Sequence, residues 1–132
     1  MQSRYVTIGA VSGFLAVGAG AFGAHVLEGY VTQDLLEAFE VGARYHLAHS
    51  LAMVLVGSLA PRISAMVSGR LFLSGTLVFS GSLYILAISG VRAWGAVTPL
   101  GGVLLLLGWA ALAKAGWSAP GLRGGQESEG RT

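Results

Sequence analysis

Four apolar runs, separated by short polar or glycine-containing breaks, dominate the chain: Tyr5–Leu27, Tyr45–Ala60, Leu71–Ile88 and Trp94–Ala115. About 20 helical residues cross a hydrocarbon layer, so each run predicts a membrane-spanning helix. The second run is short and carries two histidines. A polar stretch extends it on the N-terminal side, with Thr32 as an N-cap and Asp34 in the first turn, and Pro61 supplies a stop. One long helix from Gln33 to Ala60 is therefore expected, its first turns outside the hydrocarbon. Arg4, the first run and Ala19-Gly20-Ala21 imitate a signal peptide, but the run is too long for one. The fold expected is an all-α integral membrane protein with four transmembrane helices packed as a bundle over residues 1–116. A Gly/Pro/Ser-rich, disordered cytoplasmic tail is expected over residues 117–132.

Composition strengthens this reading. Only 11% of the residues are charged, against about 25% in a soluble domain. That is too little charge to cover a water-facing surface and enough for a body solvated by lipid. The net charge of +2 does not signal nucleic acid, because the charges sit between the apolar runs, where they act as topology and headgroup anchors. The chain has no cysteine, which removes disulfides, thiolate zinc sites and iron–sulfur clusters. With four spans, one side holds Arg4, Arg62, Arg70, Lys114, Arg123 and Arg131. The other holds Arg44 and Arg92 with Glu28, Asp34, Glu37 and Glu40. The positive-inside rule then puts both termini in the cytoplasm of a multi-pass protein of the cytoplasmic (inner) membrane. Tyr5, Tyr30, Trp94 and Trp117 bracket their spans as interfacial anchors. Glu40 and Arg44 are spaced as an i,i+4 ion pair.

Small residues mark the packing faces. Gly9, Gly13, Ala16, Gly20 and Gly23 fall on one stripe of a helix, and Gly75, Gly81 and Ser82 mark the third span. Such residues let backbones approach closely where lipid offers no hydrophobic drive. The seam they form serves packing within one protomer or a homo-oligomer. The third and fourth runs are joined by so few residues that they form an antiparallel hairpin. Pro99 lies near the start of the last helix, where its missing N–H costs little.

Several segments resemble a known family. Gly20-Ala21-Phe22-Gly23-Ala24-His25 is similar to the signature of the YgdD-like family of small bacterial membrane proteins, a domain of unknown function. Gly42-Ala43-Arg44-Tyr45 with His49-Ser50-Leu51-Ala52, Phe79-Ser80-Gly81-Ser82-Leu83-Tyr84, and Trp94 through Gly102 with Gly108-Trp109 resemble its further blocks, in order. The resemblance implies four transmembrane helices and an inner-membrane location. It implies no settled reaction. His25, Tyr45, His49 and Tyr84 map onto motif positions and His46 does not.

Alternating span direction places His25, Tyr45, His46, His49, Ser82, Tyr84, Trp94 and Thr98 at one depth, the outer third of the bilayer. A single polar cluster is expected there, with His25, Tyr45, His49, Tyr84 and Thr98 as candidate ligand-binding residues. Both His25 and His49 are expected on protein-facing sides. His46 and His49, spaced i,i+3, are the residues to consider for a metal, although no carboxylate shares their face. The cluster reads first as structural, and no metal or cofactor is called for. The role expected is a non-enzymatic accessory or scaffolding component that self-associates or joins a larger membrane complex. The alternative is a small transporter, or a metal-, haem- or quinone-binding membrane protein using the histidines. The lipid bilayer is the expected partner and nucleic acid is not.

Overall fold

A computed structural model describes residues 3–60 and 63–119. Among these residues four α-helices follow in order: α1 (Ser3–His25), α2 (Gln33–Leu59), α3 (Met66–Ser89) and α4 (Thr98–Trp117). A 3-10 turn at Leu27–Gly29 lies between α1 and α2, and another at Arg92–Ala96 precedes α4. The stop expected at Pro61 and residues 120–132 of the expected tail lie outside the described residues. Three segments, Arg4–Gly29, Met66–Ser89 and Arg92–Trp117, are long and apolar enough to cross a membrane. α2, with its acidic first half, does not meet that standard.

Local sequence explains the boundaries. α2 begins after Thr32, but the Thr32 hydroxyl donates to the Asp34 carboxylate and caps no backbone N–H. α3 ends at Gly90, whose φ of 70° is the left-handed conformation that glycine adopts without penalty. α4 starts later than the apolar run suggests. Trp94 to Ala96 belong to the tighter 3-10 turn, and Pro99 sits in the first turn of α4, where no intrahelical N–H is lost.

The extensive interfaces join consecutive helices: α1 with α2, α2 with α3, and α3 with α4. α1 and α2 lie antiparallel along their whole lengths. A Cβ on Gly57 would lie 2.6 Å from the Val6 nitrogen, one on Gly9 2.7 Å from the Ser50 carbonyl oxygen, and one on Gly23 3.0 Å from the Phe39 ring. α3 and α4 meet as closely, with Gly75 against Leu105, Gly101 against the Phe79 backbone, and Gly108 against the Phe72 ring. One core cluster gathers Met53, Val56, Phe72 and Leu105 across three helices, and a second gathers Leu27, Leu36, Phe39 and Ala87.

The small-residue stripe is thus only partly a seam. Gly9, Gly13 and Gly23 face α2, and Ala16 is buried. Gly20 and Gly81 have no neighbour within 4 Å of where a Cβ would sit. Gly20 instead opens onto a hollow that Glu40, Ala43, Arg44 and Leu47 of α2 also line. Tyr5 also departs from its expected role as an interfacial anchor. It is buried, and its ring occupies the space beside Gly69 of α3. Tyr30 and Trp117 are well exposed.

Gly9→Leu and Gly57→Leu are expected to disrupt the α1–α2 pair, since overpacking a close interface costs about 1–3 kcal/mol or more. Gly20→Leu is expected to fold as well as Gly18→Leu, both positions being open. Thermal unfolding in detergent compares the four variants. Equal loss at Gly20 and Gly9 would contradict this packing.

Candidate functional site

The expected single cluster resolves into three separate hydrogen-bonded groups. The first is centred on His46, the middle residue of α2. Its Nδ1 lies 2.9 Å from the Tyr84 hydroxyl of α3, and its Nε2 lies 3.0 Å from the Ser12 hydroxyl of α1. Ser50, one turn along α2, lies 2.7 Å from both Ser12 Oγ and the His46 carbonyl oxygen. The second group is centred on His49. Its Nδ1 is 2.7 Å from the Tyr45 carbonyl oxygen, and Trp109 Nε1 of α4 donates to its Nε2 across 3.1 Å. The third joins Ser82 and Thr98 hydroxyl to hydroxyl at 2.7 Å, tying α3 to α4.

His25 joins none of these. It is exposed at the end of α1 and makes no side-chain hydrogen bond among the described residues. The polar centre that reaches α1 is built on His46 instead. It lies near the midpoint of α2, away from the level of the α1–α2 connection. The long polar start of α2 pairs with the last turns of α1, which brings His46 down beside Ser12. Tyr45 is half-exposed and contributes its ring, packed on Phe79 at 4.6 Å between centroids, and its carbonyl.

The chemistry of the partners fixes His49. A carbonyl only accepts and an indole N–H only donates, so His49 carries its proton on Nδ1 and accepts on Nε2. It is 5% exposed and sits against Phe72 and Trp109. Both nitrogens of both α2 histidines are thus engaged within the protein. The i,i+3 pair faces different neighbours, His46 toward α1 and α3 and His49 toward α4. Among the described residues no three His, Asp or Glu side chains are grouped as metal ligands.

A groove adjoins the first group. It lies between α1 and α3 with His46 of α2 beside it, and encloses about 480 Å³. Ile8, Val11, Leu15, Leu73 and Leu77 make its walls, and Ser12, His46, Thr76 and Tyr84 also line it. Thr76 is 4% exposed, and its hydroxyl has no hydrogen-bond partner. Ser80, also on the lining, donates to the Gly42 carbonyl at 2.8 Å. The Ser12–His46–Tyr84 order imitates a nucleophile, base and orienting group. Ser12, however, sits in mid-helix, where the backbone N–H groups that would stabilise an oxyanion are spent within α1.

At one end of the molecule Arg92 pairs with Asp34 at 2.7 Å, clasping the start of α2 to the α3–α4 connection. The hydrogen bond from Thr32, then that from Arg92, holds the Asp34 carboxyl below its ordinary value of 3.8. This exposed clasp is present above the ordinary carboxylate range and is lost as pH falls through the lowered value. Glu40 and Arg44 form no ion pair with each other, despite their spacing.

A family model described as a protein of unknown function, DUF423, matches residues 19–102. This chain belongs to the DUF423 family. It is 45% identical over 114 residues to the inner membrane protein YgdD of Escherichia coli, covering 83% of this chain and 87% of that one. It is 42% identical over 109 residues to the membrane protein YwdK of Bacillus subtilis, covering 80% of this chain and 89% of that one. A Staphylococcus aureus membrane protein is 39% identical over 107 residues, covering 80% and 88% respectively. No solved structure matches. The resemblance carried by the motif blocks therefore names the right family, and the chain is a helical membrane protein of a family without an assigned activity. Sequence reasoning passed over Ser12, Ser50, Thr76 and Trp109 as site residues. Ser50 had a local signal in its i,i+4 spacing from His46, and both Ser50 and Trp109 fall in motif blocks of the family.

The His49–Trp109 bond is expected to couple α2 to α4. A double-mutant cycle of His49→Phe and Trp109→Phe, read by thermal or denaturant unfolding in detergent, should give a coupling of roughly 0.6–1.7 kcal/mol. Strict additivity would remove the bond from the account of stability.

Proposed function

We propose that this DUF423 protein is a non-enzymatic membrane component that holds a neutral, lipid-soluble molecule in the groove between α1 and α3. The observation that carries the reading is the groove itself, of about 480 Å³, the size of a small-molecule site. Its walls of Ile8, Val11, Leu15, Leu73 and Leu77 are apolar, and Ser12, His46 and Tyr84 give the lining a few polar groups. That combination suits a largely apolar molecule with one polar atom. In this reading all four helices cross the inner membrane with both termini in the cytoplasm. Two things support it: α2 runs antiparallel beside the clearly apolar α1 over its full length, and the arginine distribution favours that orientation.

A second reading, an accessory subunit that self-associates, is supported by a hollow on the other side of the α1–α2 pair. Ala16, Gly20, Ala43, Glu40 and Arg44 line it. A second copy placed there by a two-fold axis would set Glu40 of one copy against Arg44 of the other.

Gly81 lines the groove, and a Cβ added there meets nothing within 4 Å, so Gly81→Leu is expected to occupy groove space while the fold is kept. Native mass spectrometry of the full chain from mild detergent is expected to find a small-molecule adduct on the wild type and none on a folded Gly81→Leu variant. No adduct on either, or the same adduct on both, would contradict the groove reading.

A further inference from the structure

The hydrogen-bonded group beside the groove has two proton arrangements, one complete and one that gives up a single bond. In one, the Tyr84 hydroxyl donates to His46 Nδ1, Nε2–H donates to Ser12, Ser12 to Ser50, and Ser50 to the His46 carbonyl. Every proton is then used within the protein. In the other, the chain runs backwards. Ser50 donates to Ser12 and releases the His46 carbonyl, Ser12 donates to Nε2, and Nδ1–H to the Tyr84 oxygen. The Tyr84 proton is then left for an acceptor in the groove. A hydroxyl has one proton and two lone pairs, and a neutral imidazole one donor and one acceptor, so only the first arrangement keeps all four bonds and the second loses only that from Ser50 to the carbonyl. His49 has no such freedom, because its partners are a pure acceptor and a pure donor.

We propose that the groove receives a quinone and its quinol, and that His46 changes tautomer to match the form bound; this rests on the groove-binding reading above. With the quinone, the Tyr84 hydroxyl donates to the ligand carbonyl and His46 carries its proton on Nδ1. With the quinol, the Tyr84 oxygen accepts from the ligand hydroxyl and His46 carries its proton on Nε2. One oxygen thus serves a ligand whose polar atom is an acceptor in one form and a donor in the other. The apolar walls of the groove suit a neutral ring with a hydrocarbon tail. Thr76, two turns along α3 from Tyr84, lies on the same lining and reports on occupancy of the groove. Only binding is proposed, and no electron or proton transfer is assigned to the protein.

The test is nitrogen NMR of the full chain with ¹⁵N-labelled histidine and threonine in nanodiscs, where ring-nitrogen shifts separate the two tautomers. The His46 signals are those missing in His46→Gln. The probes are a decyl-substituted benzoquinone, its quinol, and methyl decanoate, which carries an ester carbonyl such as bilayer lipids supply. The quinone is expected to move His46 from Nε2–H to Nδ1–H, and the quinol to bind with Nε2–H retained. Tyr84→Phe, which keeps the ring, should abolish the quinone-induced change and weaken quinone binding roughly five- to tenfold. Quinone binding that shifts Thr76 resonances without changing the His46 tautomer would overturn the inference and leave the groove intact. A tautomer change with the ester and no binding of the quinol would overturn the quinone assignment in favour of bilayer lipid. No probe perturbing Thr76 or His46 would remove the groove reading itself.

Discussion

Polar side chains in apolar surroundings must find their partners within the protein, and α2 is the helix on which that constraint falls. It is the least apolar of the four, and it carries His46, His49 and Ser50 along its middle. Each polar atom there is matched from a different direction. Ser12 comes from α1, Tyr84 from α3 and Trp109 from α4, while the Tyr45 and His46 carbonyls serve within α2. A bond lost here leaves a buried donor or acceptor with no water to replace it. The matching therefore sets the rotation of α2 about its axis, and its neighbours dock around that rotation.

The packing of the flanking helices follows from glycine. α1 and α4 touch mainly the helix next to them in sequence, and both contacts are made where a glycine lets a backbone come close. Such row-like packing leaves a gap between α1 and α3 beyond the point where Tyr5 meets Gly69. The groove is that gap. Ser12, His46 and Tyr84 are on its lining. The side chains that tie α1, α2 and α3 together are thus the same ones that give the groove its polar groups.

Much of the architecture was legible in the chain. The apolar runs marked the helices, Gln33 began α2 as expected, Pro99 took its place in the first turn of α4, and Gly9, Gly13 and Gly23 marked the α1 face toward α2. The motif blocks pointed to the family. The site was less legible, for identifiable reasons. Helical periodicity tells which residues share a face but not the register of one helix against another. His25 therefore looked equivalent to His49, although it ends α1 beyond any polar neighbour, and His46 stood out only as a metal candidate beside His49. The acidic start of α2 suggested that its histidines lie near the membrane surface, whereas the pairing of Gly23 with Phe39 brings that start alongside α1. Thr76 carried no sequence signal, since a lone threonine in an apolar run is ordinary, and the motif block that holds Trp109 did not say which helix its indole would meet.

The central claim is that α2, despite its polar groups, lies in the hydrocarbon beside α1 because those groups are satisfied internally. Leu51 and Leu55, 63% and 45% exposed on its outer face, report on this directly, and the absence of native cysteine makes any introduced thiol unique. In membranes opened to both sides, Leu51→Cys and Leu55→Cys are expected to resist a water-soluble maleimide, while Glu37→Cys reacts. Rapid labelling at Leu51 and Leu55, in a protein whose α1 and α3 remain protected, would mean that α2 lies outside the hydrocarbon and would contradict the claim.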